Sequence, residues 1–217
     1  MAISGPTRAL LILGLFLVIG AVIVLTLMGR RRTVARAEKV LATLCMQIGF
    51  SPIAASASAI KYFRDYPHCD SLVRVAAGRV EGLHVETCFI PSEGRSEKKR
   101  TLVGVQCPAR LGVEVGLSKH DVVSGTINSL FGQANGVGSH PLFGPYDGWG
   151  PRPDVARVFA PEIQTMMLAF PRSFNMAMVY GQDVVLSWEG IEEDVSVMKQ
   201  AFRLAALLCE NASTPVH

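Results

Sequence analysis

The chain is short of aromatic residues, 7% against 49% for the wider hydrophobic set, so its apolar character is largely aliphatic. No acidic residue precedes Glu38. The five cysteines, Cys45, Cys69, Cys88, Cys107 and Cys209, include no C-x-x-C pair and no framework spacing. That argues against a stapled secreted domain and suits reduced thiols in a cytoplasm. No G-x-S-x-G is present, which removes the nucleophile elbow of one large hydrolase class. His68, His84, His120, His140 and His217 carry no local signature of a base for Ser124 or Cys107. The glycine-rich GQANGVGSH lacks the Lys-Ser/Thr and the strand-to-helix setting of a phosphate-binding loop.

What is present is a long neutral run. Ala9 to Gly29 contains no charge, and at about 1.5 Å per residue it reaches roughly the 30 Å of a hydrocarbon core. The run predicts a transmembrane helix, because a secretory signal has an apolar stretch of only about 7 to 15 residues and a small-residue cleavage site. It has no GxxxG packing face and no ionisable residue, so a plain tether to the lipid bilayer is expected. Arg30, Arg31, Arg32 and Arg36 follow it and Arg8 alone precedes it. Basic flanks stay on the cytoplasmic side, which predicts a single-pass membrane protein with its N-terminus outside and its body cytoplasmic. The same arginines suit anionic lipid head groups.

Residues 37–217 hold 16 basic and 18 acidic residues. A net charge of −2, with RSEKKR (Arg95 to Arg100) as its one basic cluster, excludes the cationic face a nucleic-acid binder needs.

Periodicity divides the chain into a tail (1–8), the transmembrane helix (9–29), a juxtamembrane amphipathic helix (30–50), a first α+β segment (51–130), a Gly/Pro-rich loop (131–154), a β-α-β-β-α segment (155–212) and a tail (213–217). Val34, Ala37, Val40, Leu41, Leu44, Cys45 and Ile48 fall on one helix face, with Gly49 as the stop. Leu83, Val85, Thr87 and Phe89 alternate as in a half-buried strand, and 101–107 and 111–117 extend this to an antiparallel meander. Strands at 174–180 and 184–188 join through Gly181 to Asp183, read as a tight turn. Val195, Met198, Phe202, Ala205 and Cys209 mark a final packing helix, and Glu192, Glu193 and Asp194 stand at its positive end. The fold class is α+β: an N-terminal transmembrane helix, an antiparallel-sheet soluble region and a C-terminal packing helix.

The order of anchor, arginines, amphipathic helix, QIGFSP, meander, glycine-rich break, DVARVFAPEIQTMMLAF and VVLSWEGIEEDVSVMKQAFRLAALL resembles an uncharacterised group of bacterial single-pass membrane-tethered proteins. The resemblance implies an inner-membrane protein with a soluble α+β region. It implies no activity, cofactor or site.

Function is expected to be non-enzymatic, that of a membrane-tethered interaction or scaffold module. No catalytic residue, cofactor or metal ligand is assigned. Tyr146 and Trp149, set among glycines and prolines, are the candidate contacts for a protein partner. The alternative is a small membrane-bound metal-dependent hydrolase using His68, Cys69, His84, Cys88 and Cys107, residue types that zinc favours but at no diagnostic spacing.

Overall fold

A computed structural model of the chain describes residues 5–65, 75–90, 99–119 and 140–214. Helix α1 runs unbroken from Gly5 to Ile48, 44 residues or about 66 Å. The apolar run and the amphipathic stretch are therefore one helix, with no break at the arginines. It stops at Gly49, whose φ of 80° is the left-handed conformation of a helix C-cap. The amides of Gly49 and Phe50 both donate to the Cys45 carbonyl, at 2.8 and 3.1 Å.

The two halves of α1 have opposite environments. Phe16 and Leu17 are each 67% exposed, and every large apolar side chain reported from Leu15 to Met28 is exposed. Ala37, Leu41 and Leu44 are buried in the core of the body. Among the described residues no helix is long and apolar enough to cross a membrane. The transmembrane helix expected at 9–29 is therefore not shown by the structure.

After α1 come β1 (Ser51–Ile53), a 3₁₀ turn (Ala55–Ala57), α2 (Lys61–Arg64), β2 (Val75–Val80), β3 (Leu83–Ile90), β4 (Arg100–Gln106) and β5 (Val115–Lys119). Next are β6 (His140–Phe143), β7 (Tyr146–Trp149), α3 (Arg152–Val158), α4 (Pro161–Ala169), β8 (Phe174–Tyr180), β9 (Asp183–Glu189) and α5 (Val195–Ser213). The nine described strands form one antiparallel sheet in the order β1-β2-β3-β4-β9-β8-β5-β7-β6.

This order changes three expectations. The meander ends at β4, which pairs with β9 rather than with the strand that follows it. The strand expected at 111–117 lies at Val115–Lys119, between β8 and β7. Residues 140–149, expected within a loop, form the β6–β7 hairpin, turned at Gly144 with φ 50°. The parts on either side of the glycine-rich stretch therefore share one sheet.

One face of the sheet carries the main core. Val85, Phe89, Val103, Val105, Val184, Leu186 and Trp188 are buried there with Met198, Phe202 and Leu208 of α5 and with the second half of α1. Phe50 of the α1 exit packs on Phe202, ring centroids 5.4 Å apart. Phe174 meets Trp188 edge-on at 5.9 Å. Cys107 at the end of β4 is joined to Cys209 of α5 as a disulfide, which corrects the expectation of reduced thiols throughout. The spacing of 102 residues gives no local signal for it, since only the packing of α5 over β4 makes the two neighbours. Cys45 and Cys88 are free.

The opposite face carries a smaller core of Ile60, Phe63, Cys88, Leu102, Met176, Met178 and Val185. Helix α2 lies close to β4 because Gly104 has no side chain: a Cβ there would stand 3.0 Å from Ile60 Cγ1 and 3.1 Å from Phe63 Cζ.

Candidate functional site

Directly paired residues of antiparallel strands share a face. The register pairs Arg79 with His84, His84 with Gln106, Gln106 with Asp183, and Asp183 with Tyr180. Five strands therefore present a polar row at one end of the face that α2 covers. Beside it, Glu86 is fully buried. Its carboxylate accepts from the Ser58 hydroxyl and from the Ala59 amide at 2.8 Å, and His84 Nε2 lies 2.7 Å from Oε1. These contacts tie the segment entering α2 to β3.

Asp183 makes the second tie. It is 4% exposed, and its Oδ2 accepts from the Lys61 amide at 2.6 Å at the start of α2. Burial pushes its carboxyl up to about 6, against the Lys61 amide bond that lowers it; the nearby Glu86 charge raises it further. Lys61 itself forms an ion pair with Asp65 one turn on.

Lys61 and Asp183 open on a cavity of about 560 Å³ between α2, the 106–114 segment and the β8–β9 turn. Lys61, Arg64, Gln106, Arg110, Glu114, Tyr180, Gln182 and Asp183 line it. The Cys107 and Leu111 amides donate to the carbonyls of Gln182 and Gly181, both at 2.7 Å, so two of the three walls are bound to each other. The turn depends on Gly181, whose φ is 66°.

Sequence reasoning read Asp183 only as a turn residue. The available signal was an acid opening a mostly apolar strand, DVVLSW. No local pattern pointed to Lys61, Arg110 or Glu114.

The sequence-predicted site residues fall elsewhere. Tyr146 is a correction: it is 2% exposed, packs on Phe143, and its hydroxyl accepts from the Phe174 amide at 3.2 Å. As part of the core it is no surface contact, because pairing of β7 with β5 turns it inward. Trp149 is half-buried, and its Nε1 donates to Ser118 Oγ at 2.8 Å. Arg31, Arg32 and Arg36 are exposed on α1, and Arg30 lies on the same helix. Arg36 Nε donates to Glu193 Oε1 at 2.6 Å, so this flank is also bound to the body at the start of α5.

The metal constellation is not brought together. His84 and Cys88 share a strand face, but Cys107 is consumed by its bond to Cys209, and His68 and Cys69 lie outside the described residues. Burial, with the Glu86 charge second, pushes the Cys88 thiol far up, away from the thiolate a metal requires. No group of three or more metal-binding side chains occurs among the described residues. Ser124, His120, His217 and the RSEKKR acids and bases before Lys99 also lie outside them. The acids at 192–194 do structural work. Asp194 caps α5 by accepting from the Ser196 amide at 2.7 Å, and hydrogen bonding by the Ser196 side chain, with that amide second, holds its carboxyl below the usual carboxylate range. Glu192, 3% exposed, takes Arg172 Nε at 3.0 Å.

No family model matches the chain, and no curated protein matches it. Among solved structures it is similar to the mycobacterial trehalose monomycolate transport factor A, with a TM-score of 0.60 and 10% identity over 83% of this chain and 98% of that one. At that identity the likeness shows the fold alone.

Proposed function

We propose that the protein is a membrane-tethered, non-enzymatic interaction or scaffold module, anchored by residues 9–29 and steered by Arg30 to Arg36 at anionic head groups, with an unidentified protein as its partner. The observation that carries this reading is the division of α1. One continuous helix leaves its large apolar side chains from Leu15 to Met28 exposed and sinks Ala37, Leu41 and Leu44 into the core. An exposed apolar surface of that length needs a non-aqueous surrounding, and 21 neutral residues suit a bilayer. Because the anchor is also a core element, the body is held at a fixed stand-off from the surface rather than on a loose linker, which suits a platform for assembly. The protein whose fold it shares is described as a transport factor. A fold does not carry a role by itself, and the reading rests on the helix.

Four arginines after the run against one before it support a cytoplasmic body. A second reading, with the body on the oxidising side, is favoured by the Cys107–Cys209 bond. Carbonate extraction of native membranes tests the anchor: the chain is expected in the pellet, and recovery in the supernatant refutes it. C-terminal fusions test the side. A fluorescent GFP fusion with an inactive alkaline phosphatase fusion supports the cytoplasmic body, and the opposite pattern replaces it with the second reading. Capture of the full chain from detergent-solubilised membranes tests the scaffold: a partner retained by the intact chain, and still retained when residues 9–29 alone are replaced by an unrelated apolar span, is expected, and the absence of any retained partner refutes it.

A further inference from the structure

The cavity beneath α2 is not explained by tethering. Small-molecule pockets of roughly 300 to 1,000 Å³ are ordinarily lined mostly by apolar and aromatic side chains. This one, at about 560 Å³, is lined by carboxylates, amides, cations and one tyrosine together with Ala59 and Gly181. The position of its groups is fixed by contacts around it. Buried Glu86, behind the cavity, and Asp183, in its lining, hold the α2 entry, and two backbone bonds hold the 107–111 segment to the β8–β9 turn. A binding constellation requires that its groups be held in this way.

Several of the lining groups are uncommitted. Asp183 uses Oδ2 for the Lys61 amide, and its Oδ1 has no partner among the described residues. The side chains of Arg110, Glu114 and Gln182 make no hydrogen bond or ion pair to another described residue. Charge then selects the ligand. A free anion would meet the carboxylates of Asp183 and Glu114, and a free cation would meet Lys61, Arg64 and Arg110. An apolar ligand would leave Oδ1 of the buried Asp183 carboxylate unpaired. A hydroxyl both donates and accepts, so it can satisfy a carboxylate and a guanidinium at once.

We propose that this cavity binds a neutral polyhydroxylated ligand of mono- to disaccharide size, its hydroxyls donating to Asp183 and Glu114 and accepting from Arg110 and the amides of Gln106 and Gln182. The proposal does not depend on which side of a membrane the body faces. The test is saturation-transfer NMR on the full chain in dodecylphosphocholine micelles, which carry no sugar head group, with maltose, sucrose and myo-inositol as probes. Transfer to at least one probe is expected, weakened about tenfold by Arg110→Ala, the loss of one charge-assisted hydrogen bond, and unaffected by excess inorganic phosphate. Arg110 is exposed, so its removal leaves the fold intact. Asp183→Asn is the second variant, read only where its circular dichroism is unchanged. Absence of transfer to all three probes overturns the proposal. So does transfer that survives Arg110→Ala undiminished, and so does displacement by phosphate, which would mark an anion site.

Discussion

The Asp183 carboxyl offers a quantitative check on the α2 junction. Its value is pushed from 3.8 to about 6, first by burial and then by the Glu86 charge, with the Lys61 amide opposing. A raised folded-state value means that the folded protein holds this proton more tightly than the unfolded chain does. The contribution to stability is therefore complete below the unfolded value and is lost as pH rises through about 6. Between about pH 5 and about pH 7.5, a carboxyl at 3.8 unfolded and about 6 folded gives about 1.4 kcal/mol more stability at the lower pH. Other acids titrate in this range, so the informative quantity is the difference between the native chain and Asp183→Asn, whose amide keeps an acceptor for the Lys61 amide. Urea unfolding of the full chain in micelles reads it, with Trp188, fully buried in the core, as the fluorescent reporter. The native chain should gain about 1.4 kcal/mol more than the variant on going to the lower pH. Equal pH dependence in the two would refute the placement of Asp183 in a desolvated site.

Leu41→Ala in α1 should cost about 2 to 5 kcal/mol by opening a cavity under α5, whereas Leu17→Ala, at a side chain 67% exposed, should leave urea unfolding of the body unchanged. Tyr146→Phe strands the buried Phe174 amide and should cost about 1 to 3 kcal/mol in the same assay, with any partner recovered as before if the fold holds. Gly104→Leu cannot fit under Ile60 and Phe63, so α2 must lift; faster amide exchange at Lys61 measured by mass spectrometry checks it. Cys209→Ser should abolish the mobility difference between reduced and non-reduced gels and lower stability by about 2 to 5 kcal/mol.

Local elements were readable where their period is enforced by one buried face. Helix α5 and strands β3, β4, β8 and β9 follow their apolar spacing closely, and Gly49 does stop α1. Strand β2 was missed because VAAGRV is built from small and polar residues, and it exists through its pairing with β3 across the Glu81–Gly82 turn, both at positive φ. The β6–β7 hairpin was hidden by glycine and proline, which suppress strand propensity until a neighbouring strand supplies the ladder.

The candidate site was less legible still. Lys61, Gln106, Arg110 and Asp183 are ordinary polar residues in four separate stretches, and nothing in their spacing announces a cavity. By itself the sequence determined the long neutral run, the arginines behind it and the alternation of the central strands, because each depends on residues close along the chain. Only the tertiary structure decided that β4 lies against β9, that Cys107 meets Cys209, that Tyr146 turns inward and that part of the polar row lines a cavity. Those outcomes depend on which distant surfaces bury each other, and a periodic pattern names a face without naming what will cover it.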